Sequence, residues 1–295
     1  MTIVEVVPYD SNWPNLFEAE AKLLSKALGN NCIAIHHIGS TSIPGLSAKP
    51  ILDILPVVKD IVKVDKATKA MIALGYEVKG EAGMAFRRFF QKGNPSRTHN
   101  IHLYEKEDPE ISRYLNFRDW MRAHPEDALA YATLKVKLAK EFPHDIFHYC
   151  SGKDAFVASI DAKDGYDGWR MVQALTDREW ALAHKLRKDI LTNSFKGKDH
   201  IHFIFYKNAD VIGYAHLQLY SENEALLRFI AIDKPYRNLG FGSQFLKLCE
   251  RWLRQQGFSK LLVHVPQNMQ KFYHNHGYLN DNVKKDPSNI HIKFI

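Results

Sequence analysis

Residues 229–252, FIAIDKPYRNLGFGSQFLKLCERW, join a short apolar strand, a glycine-rich turn and an amphipathic helix in one stretch. The run 229–232 is apolar and partly β-branched, which is typical of a buried strand. From near Ser243 onward, apolar side chains recur at the spacing of one helical face. They are Phe245, Leu246, Cys249, Trp252 and Leu253. The stretch predicts a strand–turn–helix unit of an α/β domain.

The turn of this unit has the chemistry of an anion site. The first turn of a helix has backbone N–H groups without intrahelical acceptors, at the positive end of the helix dipole. Gly240 and Gly242 lack the Cβ atoms that would keep a phosphate from those groups. Arg237 adds a fixed charge with two parallel donors. The residues favour a diphosphate, although the G-x-G spacing alone also fits a turn without a ligand.

The longer pattern, Arg237-x-x-Gly240-x-Gly242 after an apolar strand, resembles the acetyl-CoA loop of the GNAT N-acetyltransferase family. The resemblance continues through an apolar run at 261–265, Asn268 and the segment KFYHNHGY at 271–278, and it covers roughly 170–295. Asn238 stands where the family usually has glycine, and asparagine tolerates left-handed backbone better than most residues.

The resemblance implies acetyl-CoA as cofactor, an amine as acceptor and a gap between two sheet strands where the cofactor enters. The implied cofactor-binding residues are Ile230, Ala231, Ile232, Arg237, Asn238, Leu239, Gly240, Phe241, Gly242, Ser243 and Asn268. Backbone at Ile230 and Ile232 would pair with the pantetheine arm, and Asn268 would either bind the cofactor or cap the next helix. Tyr273 would be the general acid for the coenzyme A sulfur, with a packing tyrosine as the alternative. No base is identified, and we expect His216, Glu222 and Glu224 to face solvent.

A second motif lies near the start of the chain. A strand at 32–38, Gly39-Ser40, and an apolar strand at 51–58 containing Asp53 resemble the nucleotidyltransferase superfamily. The residues HIGSTSIPGLSAKPILDI at 37–54 are similar to the GrpB family. This resemblance covers roughly 4–160. The resemblance implies a nucleotide or phosphate site at Gly39, Ser40 and Asp53. Leu55 occupies the place of a second carboxylate, so no metal site is predicted.

Four points stay open around this motif. Asp53 could instead be a buried carboxylate paired with Lys49, Arg87 or Arg97, and Gly39-Ser40 could cap a helix without a ligand. His99 and His102 share a predicted strand at odd spacing, so only one of them can face Asp53. Lys135, Lys137 and Lys140 are expected on a solvated helix face, with a polyanion groove as the alternative.

Charge and composition limit the remaining possibilities. Residues 1–167 have a net charge of about −1 and the rest about +8, a field that suits the phosphates of coenzyme A. No basic repeat with interleaved aromatic residues suggests nucleic acid. The chain lacks an apolar run of membrane length and a signal-like start, which predicts a cytoplasmic protein without a membrane partner. The three distant cysteines predict reduced thiols.

The sequence thus predicts an α/β (α+β) protein of two domains. A nucleotidyltransferase-like mixed sheet with helices, 1–160, is followed by a linker, 161–169, and a GNAT acyl-CoA N-acyltransferase fold, 170–295. We expect an N-acetyltransferase that acts on a small-molecule or peptide amine, with a GrpB-like domain that binds substrate or nucleotide. The alternatives are a nucleotide-binding or nucleotidyl-transferring protein whose GNAT-like domain senses acyl-CoA, and a scaffold with two inactive sites.

Overall fold

A computed structural model describes residues 3–186, 197–280 and 290–295, in two compact units. The first comprises Met1–Ala82 and Phe86–Trp169, and the second comprises Gly83–Ala85 and Arg170–Ile295. Gly83–Ala85 belongs to the second unit because Met84 bridges Val172. Within the described ranges, the structure contains no helix with both the length and the apolar character needed to cross a membrane.

The first unit contains one mixed five-stranded sheet and helices around it. Its strands are β1 (Cys32–Ile38), β2 (Leu52–Val58), β3 (Tyr76–Val78), β4 (Arg88–Lys92) and β5 (His99–Glu105). Its helices are α1 (Trp13–Leu28), α2 (Val64–Ala73), α3 (Pro109–Ala123), α4 (Pro125–Glu141), α5 (Ile146–Ser151) and α6 (Asp154–Asp164). The strand order is β1-β2-β5-β4-β3, with β2 and β5 parallel and the other pairs antiparallel. The mixed sheet with helices is the predicted architecture.

Strand β2 lies inside this sheet, and its burial follows from that position. Every residue of β2 is buried except Asp53, which is half-buried. Helix α1 covers the sheet with an apolar stripe, since Trp13, Phe17, Leu24 and Leu28 join the same core as the β2 residues. An apolar central strand thus carries one carboxylate at its accessible end.

The predicted linker, 161–169, overlaps two regular elements. Helix α6 continues to Asp164 and ends at Gly165, which has the left-handed φ of 74° that favours glycine. The next strand, β6 (Trp169–Gln173), begins at the last predicted linker residue. The structure therefore leaves residues 165–168 between the two elements.

The second unit contains a seven-stranded sheet in the order β11-β12-β10-β9-β8-β7-β6. Its other strands are β7 (His200–Lys207), β8 (Asp210–Leu219), β9 (Glu224–Ile232), β10 (Lys260–His264), β11 (Leu279–Asn280) and β12 (Ile290–Phe294). Its helices are α7 (Asp177–Leu186), α8 (Phe241–Gln255) and α9 (Gln270–Asn275). The alternating runs 200–207 and 211–220, joined by 208–210, predict a hairpin, which β7 and β8 form. The apolar spacing after Asp177 predicts a helix over 177–192, which is observed over Asp177–Leu186, while residues 187–192 lie outside the described residues.

Helix α8 packs its apolar face on this sheet as the spacing predicted. The five apolar residues of the predicted stripe, Phe245 to Leu253, are all buried. Phe245 stacks on Phe205 at 4.7 Å between ring centroids. Gly213 of β8 permits this approach, because a Cβ there would lie 2.9 Å from Ile232 and 3.3 Å from Phe245.

The carboxylate of Glu250 is the buried acceptor that joins α8 to the end of the chain. It is 3% exposed and accepts hydrogen bonds from the Tyr278 hydroxyl at 2.9 Å and the Lys293 ammonium at 2.8 Å. Because burial strengthens these charge-assisted bonds, losing the acceptor leaves a cation and a phenol poorly satisfied.

We expect Glu250→Leu to lower the free energy of unfolding of the second unit by about 3 kcal/mol. Glu250→Gln keeps an acceptor for Tyr278 and should lose less stability than Glu250→Leu. Glu222→Gln, at an exposed position, should change the free energy of unfolding by less than about 0.5 kcal/mol. Urea denaturation of the full chain, followed by hydrogen exchange in α8, measures the difference. Unchanged protection of α8 in Glu250→Leu would contradict the structural role of this carboxylate.

His37 of β1 is a buried neutral imidazole. Its Nε2 lies 3.0 Å from the Thr41 hydroxyl, and its ring stacks on Phe17 at 4.8 Å. Burial lowers the pKa of His37 from 6.5 to about 4. His37 therefore binds a proton in the unfolded chain at pH values where it stays neutral in the folded chain, so the free energy of unfolding falls as the pH decreases from about 6.5 to about 4.

We expect His37→Phe, which keeps the stacking on Phe17, to remove up to about 3 kcal/mol of the stability difference between pH 7 and pH 4. Burial also lowers the pKa values of His36, His99 and His102, so some acid sensitivity will remain. Thermal unfolding at both pH values, with hydrogen exchange in β1 and β2, provides the measurement. The exposed His144→Phe serves as control, and an equal effect of the two substitutions would refute this explanation.

Candidate functional site

Strands β9 and β10 pair along only part of β9. They are parallel, and the register joins Glu224 to Lys260 and ends where Leu227 lies beside Val263. Beyond Leu227, β9 continues to Ile232 in contact with β8, after a bulge at Arg228. Residues 225–227, just before the bulge, are buried, whereas 229–231 are half-buried. Beyond Leu227, the side of β9 that faces away from β8 has no strand partner in the described part of the chain, at the place where the GNAT resemblance implied a gap, and we refer to this unpaired edge as the gap.

The backbone of β9 faces this gap at alternate residues. The amide of Asp233 donates to Ile212 of β8, so the backbone groups of Ile232 and Ile230 point away from β8. The Ile232 carbonyl accepts a hydrogen bond from Arg237 Nε at 2.8 Å. Both amides and the Ile230 carbonyl remain at the edge of the gap. Ala231 directs its backbone to β8, so it can offer a ligand only its side chain.

The turn after β9 places the start of α8 beside the same gap. Asp233 caps a short helical turn over Lys234–Tyr236. Asn238 and Gly240 have left-handed φ values of 63° and 86°. The helix begins at Phe241, two residues before the predicted start at Ser243, because the left-handed Gly240 ends the turn there.

The first turn of α8 has unsatisfied donors and room in front of them. The first helical hydrogen bond runs from Gln244 N to Gly240 O at 3.1 Å, and no side chain caps the helix. In the described part of the chain, no acceptor meets the amides of residues 241–243. A Cβ at Gly240 would have no heavy atom within 4 Å, and one at Gly242 would lie 3.8 Å from Ile232. Neither glycine is therefore tightly packed by the described residues.

Arg237 has a structural role that the motif alone does not reveal. Its Nε fixes the turn by bonding the last carbonyl of β9. Its terminal nitrogens have no protein acceptor among the described residues, which leaves them available to an anion. Leu239, also among the predicted cofactor residues, is 65% exposed at the tip of the turn.

Tyr273 lies on α9 and keeps its proton. The side chain is 4% exposed, and burial, followed by the nearby Cys249, raises its pKa to about 12. Within the described ranges its hydroxyl has no hydrogen-bond partner, whereas the Tyr278 hydroxyl donates to Glu250. A protonated phenol with an uncommitted hydroxyl is suited to donate a proton. Asn268 is exposed and does not cap α9, whose cap residue is Met269, so the capping alternative is wrong.

A histidine cluster on β7 and β8 was not predicted. His200 Nδ1 lies 2.7 Å from His216 Nε2, and the rings of His202 and His216 stack at 4.2 Å. His216 is 1% exposed, so its expected solvent-facing position is wrong. The register places it beside Phe229, at the start of the unpaired part of β9. The sequence signal was the spacing of His200 and His202, which are two residues apart on one strand and therefore lie on the same face of the hairpin.

The two carboxylates considered as bases, Glu222 and Glu224, lie at or before the start of β9, away from its unpaired end. Glu222 is exposed, as expected. Glu224 is half-buried and binds Lys260 at 2.8 Å, where β9 and β10 are still paired. Neither residue therefore lies beside the gap.

In the first unit, the structure brings Gly39, Ser40 and Asp53 together. Gly39 has a φ of 67°, and a Cβ there would lie 2.5 Å from Asp53 Oδ2, so only glycine allows this approach. Asp53 accepts a hydrogen bond from Asn100 Nδ2 at 2.9 Å and lies 3.6 Å from His102 Nε2. Burial is the largest influence and raises the pKa of Asp53, but His102, Asn100 and Lys153 together outweigh it, so the pKa is lowered.

Two of the open alternatives around Asp53 are thereby decided. Asp53 forms no ion pair with Lys49, Arg87 or Arg97 in the described part of the chain. His102 is the histidine that faces it, while His99 lies 3.9 Å from Glu20 on the other side of the sheet, as the odd spacing predicted. The expected solvated face of α4 is correct for Lys137 and Lys140, but Lys135 is 2% exposed.

Comparisons with known proteins cover both units. The family described as GrpB protein matches residues 3–163, and the Acetyltransferase (GNAT) family matches residues 168–278. UPF0157 protein YqkA of Bacillus subtilis is 47% identical over 158 residues, which span 54% of this chain and 46% of YqkA. UPF0157 protein PA4798 of Pseudomonas aeruginosa is 42% identical over 161 residues, which span 53% of this chain and 66% of that protein.

The crystal structure of the conserved protein GrpB from Enterococcus faecalis is 42% identical, with a TM-score of 0.53. The match covers 54% of this chain and 96% of that one. The chain thus spans less than two thirds of the length of the first two relatives. The chain belongs to the GrpB protein family, and its second unit carries an acetyltransferase region of the GNAT family.

Proposed function

We propose that the second unit is an N-acetyltransferase that transfers the acetyl group of acetyl-CoA to a primary amine of a small molecule or peptide. The observation that carries the proposal is the unpaired edge of β9 beyond Leu227, which the uncapped start of α8 follows along the chain. An extended amide chain fits the first feature, and a diphosphate fits the second. Few other ligands combine both groups in one molecule.

The residues divide the binding task according to their positions. The amides of Phe241, Gly242 and Ser243, with the terminal nitrogens of Arg237, would hold the diphosphate. The backbone of Ile230 and the amide of Ile232 would hold the pantetheine arm as an added strand. The positive excess of the second half of the sequence, about +8, favours encounter with this polyanion.

The bound cofactor supplies an acyl thioester, whose carbonyl carbon accepts the amine nitrogen while the carbon–sulfur bond breaks and a thiolate departs. Tyr273 holds a proton on a phenol oxygen for that thiolate, because its pKa of about 12 keeps it protonated at neutral pH. The amine loses one proton, and we propose as its acceptor the pair of His200 and His216, of which His216 lies beside Phe229 in the register.

A carboxylate placed at Gly242 tests the diphosphate site without disturbing the fold. The space around this residue accepts a side chain, and an acid in the first turn stabilises a helix. We expect Gly242→Glu to retain its melting temperature but to bind acetyl-CoA at least about tenfold more weakly in calorimetry, since charge-assisted bonds to the amides are lost. Gly242→Gln has the same bulk and no charge, and it should lose less affinity for acetyl-CoA than Gly242→Glu. Unchanged affinity in Gly242→Glu would rule this site out.

Removal of the Tyr273 hydroxyl tests the proton donor. Mass spectrometry of amine mixtures identifies an acceptor, and release of the coenzyme A thiol then gives the rate. We expect Tyr273→Phe to lower kcat by about 100-fold with acetyl-CoA affinity changed less than about twofold. Tyr278→Phe, whose hydroxyl is committed to Glu250, should keep its kcat.

Three other results of that experiment would contradict the assignment. Equal kcat values for Tyr273→Phe and the unchanged chain would remove Tyr273 from the chemistry. Acetyl-CoA binding without turnover of any amine would favour the sensor alternative. Failure to bind acetyl-CoA would favour the inactive scaffold.

A further inference from the structure

The first unit contains a small cavity with an unusual excess of positive charge. It has a volume of about 190 Å³ and lies beside Ser40 and Asp53. Four cationic side chains line it, and we call it the cationic pocket: Lys49, Arg97, Lys135 and Lys153. Of the lining residues in the described part of the chain, Asp53 alone is acidic.

The cations of this pocket differ from other shielded cations of the first unit in their lack of ion pairs within the described part of the chain. Among the described residues, none of them lies within ion-pair distance of a carboxylate, and Asp53 is bonded instead by Asn100 and His102. Elsewhere in the same unit, shielded cations do have partners. Arg88 binds Asp65 at 2.7 Å, Lys92 binds Glu20 at 3.0 Å and Arg113 binds Asp161 at 2.8 Å. The cationic pocket therefore departs from the pattern of its own unit.

Burial of Lys135 makes this excess of positive charge energetically unfavourable. It is 2% exposed on the face of α4 that also buries Tyr131 and Leu138. Its ammonium donates to the Ser47 carbonyl and lies 4.8 Å from the centre of the Tyr131 ring. Burial, and then the charge of Lys153, lowers the pKa of Lys135 to about 7. A bound anion would offset both the desolvation and the repulsion.

The pocket lacks the ligands for a divalent metal in the place where a nucleotidyltransferase holds one. Leu55, two residues after Asp53, is fully buried and apolar. In the described ranges, no three histidine, cysteine or acidic side chains are placed to share an ion. Mg²⁺ needs several oxygen ligands, and Asp53 offers a carboxylate already bonded to two side chains. Side-chain cations are thus the charges that an anion would meet.

A second cavity borders the pocket and has room for an organic group. It has a volume of about 240 Å³ and shares Lys49, Ile51, Arg97 and Ile146 with the first. Lys49 and Arg97 thus line both cavities, whereas Lys135 and Lys153 line the first alone. A compact anion fits inside, with the rest of a small molecule outside.

We infer that the cationic pocket binds the phosphate or diphosphate group of a small phosphorylated molecule without a divalent metal. Lys135 and Lys153 hold the inner oxygens, and Lys49 and Arg97 hold the group where it leaves the pocket. Ser40 adds a hydroxyl donor at the Gly39 turn. This site lies in the first unit and does not depend on acetyl transfer.

Calorimetry with inorganic pyrophosphate in EDTA tests the inference. The titrations use the full-length Gly242→Glu chain, so that the start of α8 does not compete for the anion. We expect one site, weakened at least about tenfold by Lys135→Met and by Lys153→Met, since each removes a charge-assisted bond. Lys137→Met, on the exposed side of the same helix, should leave the affinity unchanged. Lys135→Met keeps the shape of a buried side chain, and Lys153→Met decides the result if that variant does not fold.

Three results would overturn the inference. No heat with pyrophosphate, inorganic phosphate or ATP in EDTA would show that the pocket is not an anion site. Binding of ATP that requires added Mg²⁺ would show a metal-dependent site. A loss in Lys137→Met equal to that in Lys135→Met would show general attraction by surface charge.

Discussion

The end of pairing between β9 and β10 is the constraint on which the second unit depends. Up to Leu227 and Val263 the two strands pair with one another, and residues 225–227 of β9 are buried. After the bulge at Arg228, the next four residues of β9 pair with β8 and, in the described part of the chain, with no other strand. Backbone donors and acceptors are then left at an open edge, which is costly in a protein interior and useful in a binding site. The start of α8 and its amides follow directly from where β9 ends.

Arg237 and Gly240 keep that edge accessible. Arg237 closes the turn by bonding the last carbonyl of β9, so a residue expected to contact the ligand also holds the site in shape. Gly240 supplies the left-handed conformation from which α8 starts without a side-chain cap. A conventional cap of serine or aspartate would satisfy the helix and would occupy the anion site. The uncapped start therefore lowers the local stability of α8, at the place where free amides are needed for binding.

The first unit solves a related problem with side-chain charge. Contact between Gly39 and Asp53 brings the turn after β1 against the accessible end of β2. Asn100 and His102 occupy the carboxylate, and no second acid follows it on the strand. What remains around this point is a set of cations, one of them buried on α4. The unit keeps the shape of a nucleotidyltransferase sheet while its charge balance favours an anion over a metal.

The sequence by itself determined the two units, the strand–turn–helix order around Gly240 and Gly242, and the placement of His99 and His102 on opposite faces of their strand. These features depend on local propensity and on the alternation of side chains along a strand, both of which can be read from neighbouring residues. Only the tertiary structure decided that Lys135 is buried, that His216 lies in a histidine cluster and that Asp53 avoids Lys49, Arg87 and Arg97. Each of these depends on which distant segments pack together, and no local pattern specifies the partner. The lysine run of α4 shows the difference, since Lys135 and Lys137 have the same chemistry and differ only in the surface that the fold brings against them.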